Sequence, residues 1–271
     1  MLNILKQYNI HPSKLRGQNF LVNKGIVEKI INAADLSKKD TVLEIGPGLG
    51  VLTEELVKKA GKVIAVEKDQ KLFELLKDKF KNAKNLELVN ADILSLNAKC
   101  YTLNAYKLIA NIPYNITGKI FRKFLSGESR PQMLVVMVQK EVGEKLLGKK
   151  SKSMLSLAAE LYGKVEKVCN VSAGSFFPKP KVDSMVIKLT VGSLAPYSEE
   201  VLKIAKIGFS SRRKKLLSNL SRSKRDLSTG LKIDKEKLKN AFEKLNINEN
   251  TRAEELSKDD WLNLAKFIYK M

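Results

Sequence analysis

A chain of 271 residues with 44% apolar content is long enough for one sizeable core plus a smaller companion domain, without disulfide staples. Its formal charge of +21 exceeds what solubility needs and points to RNA or DNA as partner, against the plainer alternative of a lysine-rich composition. Two cysteines, Cys100 and Cys169, and a single histidine, His11, argue against a Cys/His metal centre and against triad chemistry, so no metal is expected.

The opening segment Met1-Leu2-Asn3-Ile4-Leu5-Lys6-Gln7 lacks the charged-then-apolar order of a signal peptide, and no long apolar run follows. A cytoplasmic monomer without membrane association is the expectation. From Thr41 to Val138, short β-branched runs over 41–45, 62–66, 86–89, 107–110 and 133–137 alternate with helical stretches such as 51–59 and 70–80. That alternation predicts a parallel sheet covered by helices, with ligands bound beyond the carboxyl ends of the strands. A last strand is predicted over 184–191, followed by the linker Gly192-Ser193-Leu194-Ala195-Pro196. The predicted domains are therefore 1–191, α/β, and 192–271, all-helical, with helices over 199–209, 211–220, 234–245 and 258–269.

The first strand runs into Glu44-Ile45-Gly46-Pro47-Gly48-Leu49-Gly50. Glycines between a strand and a helix allow unusual dihedrals and let the backbone approach a nucleotide-like ligand. The G-x-G-x-G spacing departs from the dinucleotide pattern G-x-G-x-x-G and tilts the reading from NAD towards S-adenosylmethionine. Glu67, at the end of the second strand, is placed to accept from ribose hydroxyls. Asp92, after the third, suits either an adenine amino group or a helix N-cap.

Asn111-Ile112-Pro113-Tyr114 follows the fourth strand. The amine of a flat base is a poor nucleophile while its lone pair is delocalised. Two acceptors, the Asn111 side-chain oxygen and the Ile112 carbonyl with its backbone limited by Pro113, can hold the hydrogens out of plane. Tyr114 then stacks on the base. A sulfonium donor leaves the protein only positioning and electrostatic support to provide. A plain β-turn is the alternative.

With these motifs in order, the chain resembles the ribosomal RNA adenine dimethyltransferase family, most closely its bacterial KsgA/RsmA branch. The resemblance runs from Gln18 to about Leu264. It includes Gln18-Asn19-Phe20-Leu21, Gln139-Lys140-Glu141-Val142, the run from Phe176 to Ser184, Phe209 to Leu216, and Arg252 to Ser257. It implies a Rossmann-like methyltransferase domain with a small helical RNA-binding domain. Cofactor contacts are implied from Asn19, Leu21, Gly46, Gly48, Glu67, Asp92 and Asn111, and a sandwich of the target adenine between Tyr114 and Phe176. Phe176 has a core role as its alternative. Arg212, Arg213, Lys214, Lys215 and Arg222, in a stretch without acids, would lie along RNA phosphates, or else form a solvated helix face. The implied reaction is dimethylation at N6 of two adjacent adenines in the 3′-terminal hairpin of 16S rRNA in the assembling 30S subunit. The rivals are an erythromycin-resistance type enzyme acting on 23S rRNA, a non-catalytic RNA-binding relative and an NAD oxidoreductase. Arg16 and the segment Gly148 to Met154 depart from the family pattern.

Overall fold

The computed structural model describes residues 2–13, 17–96, 105–127, 129–221 and 234–270; Arg16, Cys100 and Arg222 lie outside them. The elements run α1 (Leu2–Gln7), β1 (Phe20–Leu21), α2 (Lys24–Ala33), β2 (Thr41–Ile45), α3 (Val51–Lys59), β3 (Lys62–Glu67), α4 (Gln70–Lys79), β4 (Leu86–Asn90), β5 (Tyr106–Asn111), α5 (Thr117–Leu125) and β6 (Met133–Gln139). They continue with α6 (Lys140–Leu146), α7 (Met154–Tyr162), β7 (Gly163–Val171), β8 (Phe176–Phe177), β9 (Ser184–Val191), α8 (Ser198–Gly208), α9 (Leu216–Ser221), α10 (Lys235–Lys244) and α11 (Lys258–Lys270).

Seven strands form one sheet in the order β4-β3-β2-β5-β6-β9-β7. The first five are mutually parallel, and β9 runs antiparallel to β6. Near-continuous apolar runs such as Val63–Val66 and Leu134–Val138 are what a strand covered on both faces requires. This is the helix-covered sheet read from the alternation and the Rossmann-like architecture that the resemblance implied. From β2 the chain builds outward through β3 and β4, then returns to β2's other side with β5. The two connections therefore diverge between β2 and β5, the place where open sheets bind ligands. Ile45 is level with Ala110, so Gly46 and Asn111 leave the sheet side by side.

The chain divides into two compact units, residues 1–143 with 164–192 and residues 144–163 with 193–271. The division differs from a single cut after residue 191, because α7 departs from the α/β unit. Leu157 and Leu161 share a core with Val201, Ile204, Leu216, Leu238, Phe242 and Trp261. In the α/β unit one cluster holds Ile30, Val42, Leu56, Ile109 and Val186, and another holds Phe20, Leu49, Leu72 and Leu76.

The helix predicted over 211–220 is shorter in the structure: α9 begins at Leu216, and Ser211 to Lys215 form a turn. The side-chain amide of Asn219 hydrogen-bonds the carbonyls of Gly208 (2.7 Å) and Ser211 (3.0 Å), holding the chain in a non-helical path there. Among the described residues no helix is long and apolar enough to cross a membrane, and no group of potential metal ligands is gathered.

Candidate active site

A cleft above the carboxyl ends of β2 and β5 is lined by Asn19, Leu21, Gly46, Gly48, Glu67 and Asn111 to Tyr114, among others. Its floor is the glycine turn. Gly48 has φ of 59°, and a Cβ there would stand 3.2 Å from the Phe20 ring. Gly50, at the N-terminus of α3, has φ of 74°, and a Cβ would come within 2.6 Å of Phe80. Positive φ favours glycine at both positions, and at Gly50 the close Phe80 ring adds a demand for space. The turn is tied to the end of β3, where Glu67 accepts from the Gly48 N–H (3.1 Å) and the Asp69 N–H (2.9 Å). Burial pushes the Glu67 carboxyl up, and these backbone donors work against that.

Asn111 ends β5, and its amide Nδ2 donates to the main-chain carbonyl of Asn19 at 3.1 Å. That bond commits Nδ2 as donor and leaves Oδ1 as the acceptor end of a side chain that lines the cleft. Ile112 is fully buried, and Pro113 adopts φ of −54° and ψ of 130° before the short helical turn Tyr114–Ile116. The half-buried Tyr114 ring is anchored by its hydroxyl, 2.7 Å from Ser184 Oγ. Burial raises the phenol above its ordinary range, so it remains a neutral ring. Ser184 is a positioning contact that sequence reasoning placed only within a resembling stretch. Its signal was a serine at the start of a mostly apolar strand.

Two assignments stand apart from the cleft. Asp92 does not line it: Oδ2 pairs with Lys68 Nζ at 2.9 Å and Oδ1 accepts from the Leu94 N–H at 2.9 Å, holding its carboxyl below the usual range. That is a local turn contact close to the capping alternative. Phe176 is 4% exposed and belongs to the core cluster that includes Leu21, its cross-strand partner, whereas Phe177 pairs with Phe20 on the opposite side of the ribbon. A sandwich by both rings requires Phe176 to leave that packing. Of the two rings named for that sandwich, only Tyr114 lines the cleft. Arg212, Arg213, Lys214 and Lys215 lie in the other unit, all four exposed.

Sequence reasoning also passed over Glu44. It is 1% exposed, receives a 2.7 Å hydrogen bond from Thr53 Oγ1 on Oε2, and its Oε1 has no partner among the described residues. Burial, with the neighbouring Glu67 charge adding to it, raises its pKa to about 8. The signal was a carboxylate inside the apolar run Thr41–Ile45.

A glycine turn at the divergence of a parallel sheet, with an amide and an aromatic ring on the adjacent strand end, defines a Rossmann-like methyltransferase. The model of the ribosomal RNA adenine dimethylase family matches residues 13–270, and the chain belongs to that family. It is 41% identical over 269 residues to the ribosomal RNA small subunit methyltransferase A of Dehalococcoides mccartyi, covering 97% of this chain and 90% of the relative. To the protein of the same name from Clostridium botulinum it is 36% identical over 275 residues, covering 98% and 97%. Among solved structures it resembles a dimethyladenosine transferase from Plasmodium falciparum, with a TM-score of 0.74, 30% identity and coverage of 90% of this chain and 95% of that one. It also resembles the 23S rRNA methyltransferase ErmE, with a TM-score of 0.72, 25% identity and coverage of 93% and 100%.

Proposed function

We propose that this protein dimethylates N6 of two adjacent adenines in the 3′-terminal hairpin of 16S rRNA, using S-adenosylmethionine, during assembly of the 30S subunit. The observation that carries the reaction type is the Asn111 amide at the cleft, its Nδ2 held by the Asn19 carbonyl so that Oδ1 is the atom left to accept from a substrate amine. The substrate follows from the relatives, which bear the small-subunit name at up to 41% identity over nearly the whole chain.

The cleft fits the cofactor. Glu67 offers a carboxylate at the ribose position, and the glycine turn leaves open space on the side of Gly46, where a Cβ would meet nothing within 4 Å. Asn19, Leu21, Gly46 and Gly48 would line the donor; Asp92, paired with Lys68, lies outside this lining. Bound there, S-adenosylmethionine supplies an electrophilic methyl group.

Asn111 Oδ1 and the Ile112 carbonyl accept the two N6 hydrogens, pulling them out of the ring plane so that the lone pair is free to react. Tyr114, steadied through Ser184, keeps the base plane fixed. The same acceptors favour the ammonium that develops, and its proton passes to water. After one transfer a single hydrogen remains, so the second transfer engages one acceptor and the other must tolerate a methyl group. A target adenosine has to leave its stack to reach this cleft, and an aromatic ring against its face offsets part of the stacking given up. The exposed cations from Arg212 to Lys215 hold the RNA by its phosphates; Arg222, outside the described residues, is assigned the same role from sequence alone.

Labelled methyl transfer to 30S particles lacking the modification, run beside 23S rRNA, tests the substrate. Incorporation into 30S alone is expected. Incorporation into 23S alone would establish the erythromycin-resistance reading, and RNA binding without transfer the non-catalytic one.

A further inference from the structure

The turn carrying Arg212, Arg213, Lys214 and Lys215 is tied from beneath by a buried amide. Asn219 is 5% exposed on α9, between the buried Leu216, Leu217 and Leu220. A polar side chain at such a position costs stability unless it is bonded. Here Nδ2 donates to Gly208 O at 2.7 Å and to Ser211 O at 3.0 Å, the last carbonyl of α8 and the first of the basic turn.

Other bonds close the turn around this amide. The Lys214 N–H donates to Ser211 O at 3.0 Å, and the Leu216 N–H to Thr251 O at 2.8 Å, so both ends of the segment are fastened. Beneath it, a Cβ on Gly208 would stand 2.8 Å from both Leu216 and Trp261, so the end of α8 is packed tightly against the same core. The backbone of the turn is therefore fixed while its four cations remain exposed, none paired with an acid among the described residues.

We propose that Asn219 is a positioning residue for RNA docking, holding the basic turn in the posture that meets successive phosphates. This rests on the reading that the turn contacts rRNA. A slack turn would have to be ordered on binding, and an ordered one has met that cost during folding. Asn219 touches no RNA in this scheme; it acts through Gly208 and Ser211.

The test compares full-length Asn219→Leu, which keeps α9 packed but donates no hydrogen bond, with Asn219→Asp and with a variant carrying Arg212→Ala, Arg213→Ala, Lys214→Ala and Lys215→Ala. Affinity for 30S particles is measured across salt, together with S-adenosylmethionine stoichiometry and steady-state kinetics. Both Asn219 variants are expected to bind RNA about tenfold more weakly, with a salt slope lowered by about 0.7 to 0.9 for each phosphate left without its cation. KM for RNA should rise while kcat and cofactor stoichiometry hold, and Asn219→Leu should add nothing in the charge-free background. Wild-type affinity and slope in Asn219→Leu, beside weakened binding by the charge-free variant, would overturn the positioning role alone. Loss of cofactor stoichiometry with an unchanged slope would also overturn it, by showing a general folding role. Unweakened binding by the charge-free variant would remove the RNA-docking reading and this proposal with it.

Discussion

Replacing Glu44 by glutamine removes a carboxyl buried in the strand beneath the glycine turn and exposes how that burial couples stability to pH. In the folded chain the group titrates near pH 8 rather than 4.5, chiefly because burial disfavours its charge. Glu67 raises it further, while the Thr53 hydroxyl and Lys79 oppose the rise. Below pH 4.5 both folded and unfolded chains carry the proton; between 4.5 and about 8 only the folded chain keeps it. Unfolding then releases a proton, and stability falls as pH rises through that window. At about 1.4 kcal/mol per pH unit the whole interval amounts to roughly 5 kcal/mol, of which about 3 kcal/mol falls between pH 5.5 and 8.5.

Glutamine keeps an acceptor for Thr53 and does not titrate, though its NH2 takes the place of the unpartnered Oε1 at a cost of about 1–3 kcal/mol. Urea unfolding of both proteins at pH 5.5, 6.5, 7.5 and 8.5 should show the wild type losing about 3 kcal/mol relative to Glu44→Gln across the series. The variant should be the less stable protein at the acid end and the more stable one at the alkaline end. Parallel stability curves would mean that Glu44 is already charged in the folded chain at pH 5.5, refuting the burial argument.

Other consequences follow from the cleft. Asn111→Ala should lower kcat by about 100-fold or more while RNA affinity stays within a small factor, as removal of a preorganised polar group does; retained single-turnover transfer would place the amine elsewhere. Tyr114→Phe keeps the ring but removes the 2.7 Å hydrogen bond with Ser184, and should retain most activity, whereas Tyr114→Ala should forfeit the stacking worth about 1–3 kcal/mol. Equal kinetic losses in the two variants would show that the hydroxyl, not the ring, is what matters. Glu67→Ala should weaken S-adenosylmethionine binding by about tenfold or more in calorimetry, since hydrogen bonds to a charged group are worth about 1.5–3 kcal/mol. Unchanged affinity would move the ribose off that carboxylate. Gly48→Ala should damage cofactor binding before RNA binding, since φ of 59° and the Phe20 ring 3.2 Å away both resist a side chain.

The parallel strands were legible because burial on both faces writes itself as short, mostly apolar runs rich in β-branched residues: 41–45 matches β2, and the runs at 62–66 and 133–137 fall inside β3 and β6. The glycine turn and Asn111 to Tyr114 were legible as segments leaving the ends of neighbouring strands, and the structure brings both to one cleft. Harder to read were features decided by tertiary packing. Leu157 and Leu161 are apolar in either unit, and only packing sends α7 to the helical core. The apolar spacing of 211–220 suits a longer helix, but Asn219 captures two carbonyls and delays it. A two-residue strand such as Phe176–Phe177 has no periodicity to show, so which phenylalanine faces the core is settled by pairing with Phe20 and Leu21. Glu44 was visible as an oddity in an apolar run, while its missing partner was not.

In the proposed reaction an amide oxygen and a carbonyl prepare an exocyclic adenine amine for methyl transfer. Nuclease digestion and mass spectrometry of rRNA, after reaction of the wild-type protein with labelled S-adenosylmethionine and unmodified 30S particles, tests it most directly. The label is expected in N6,N6-dimethyladenosine at two neighbouring positions of the 3′ hairpin, with N6-monomethyladenosine appearing first. Label on a ribose hydroxyl, a ring nitrogen or a base carbon would contradict it.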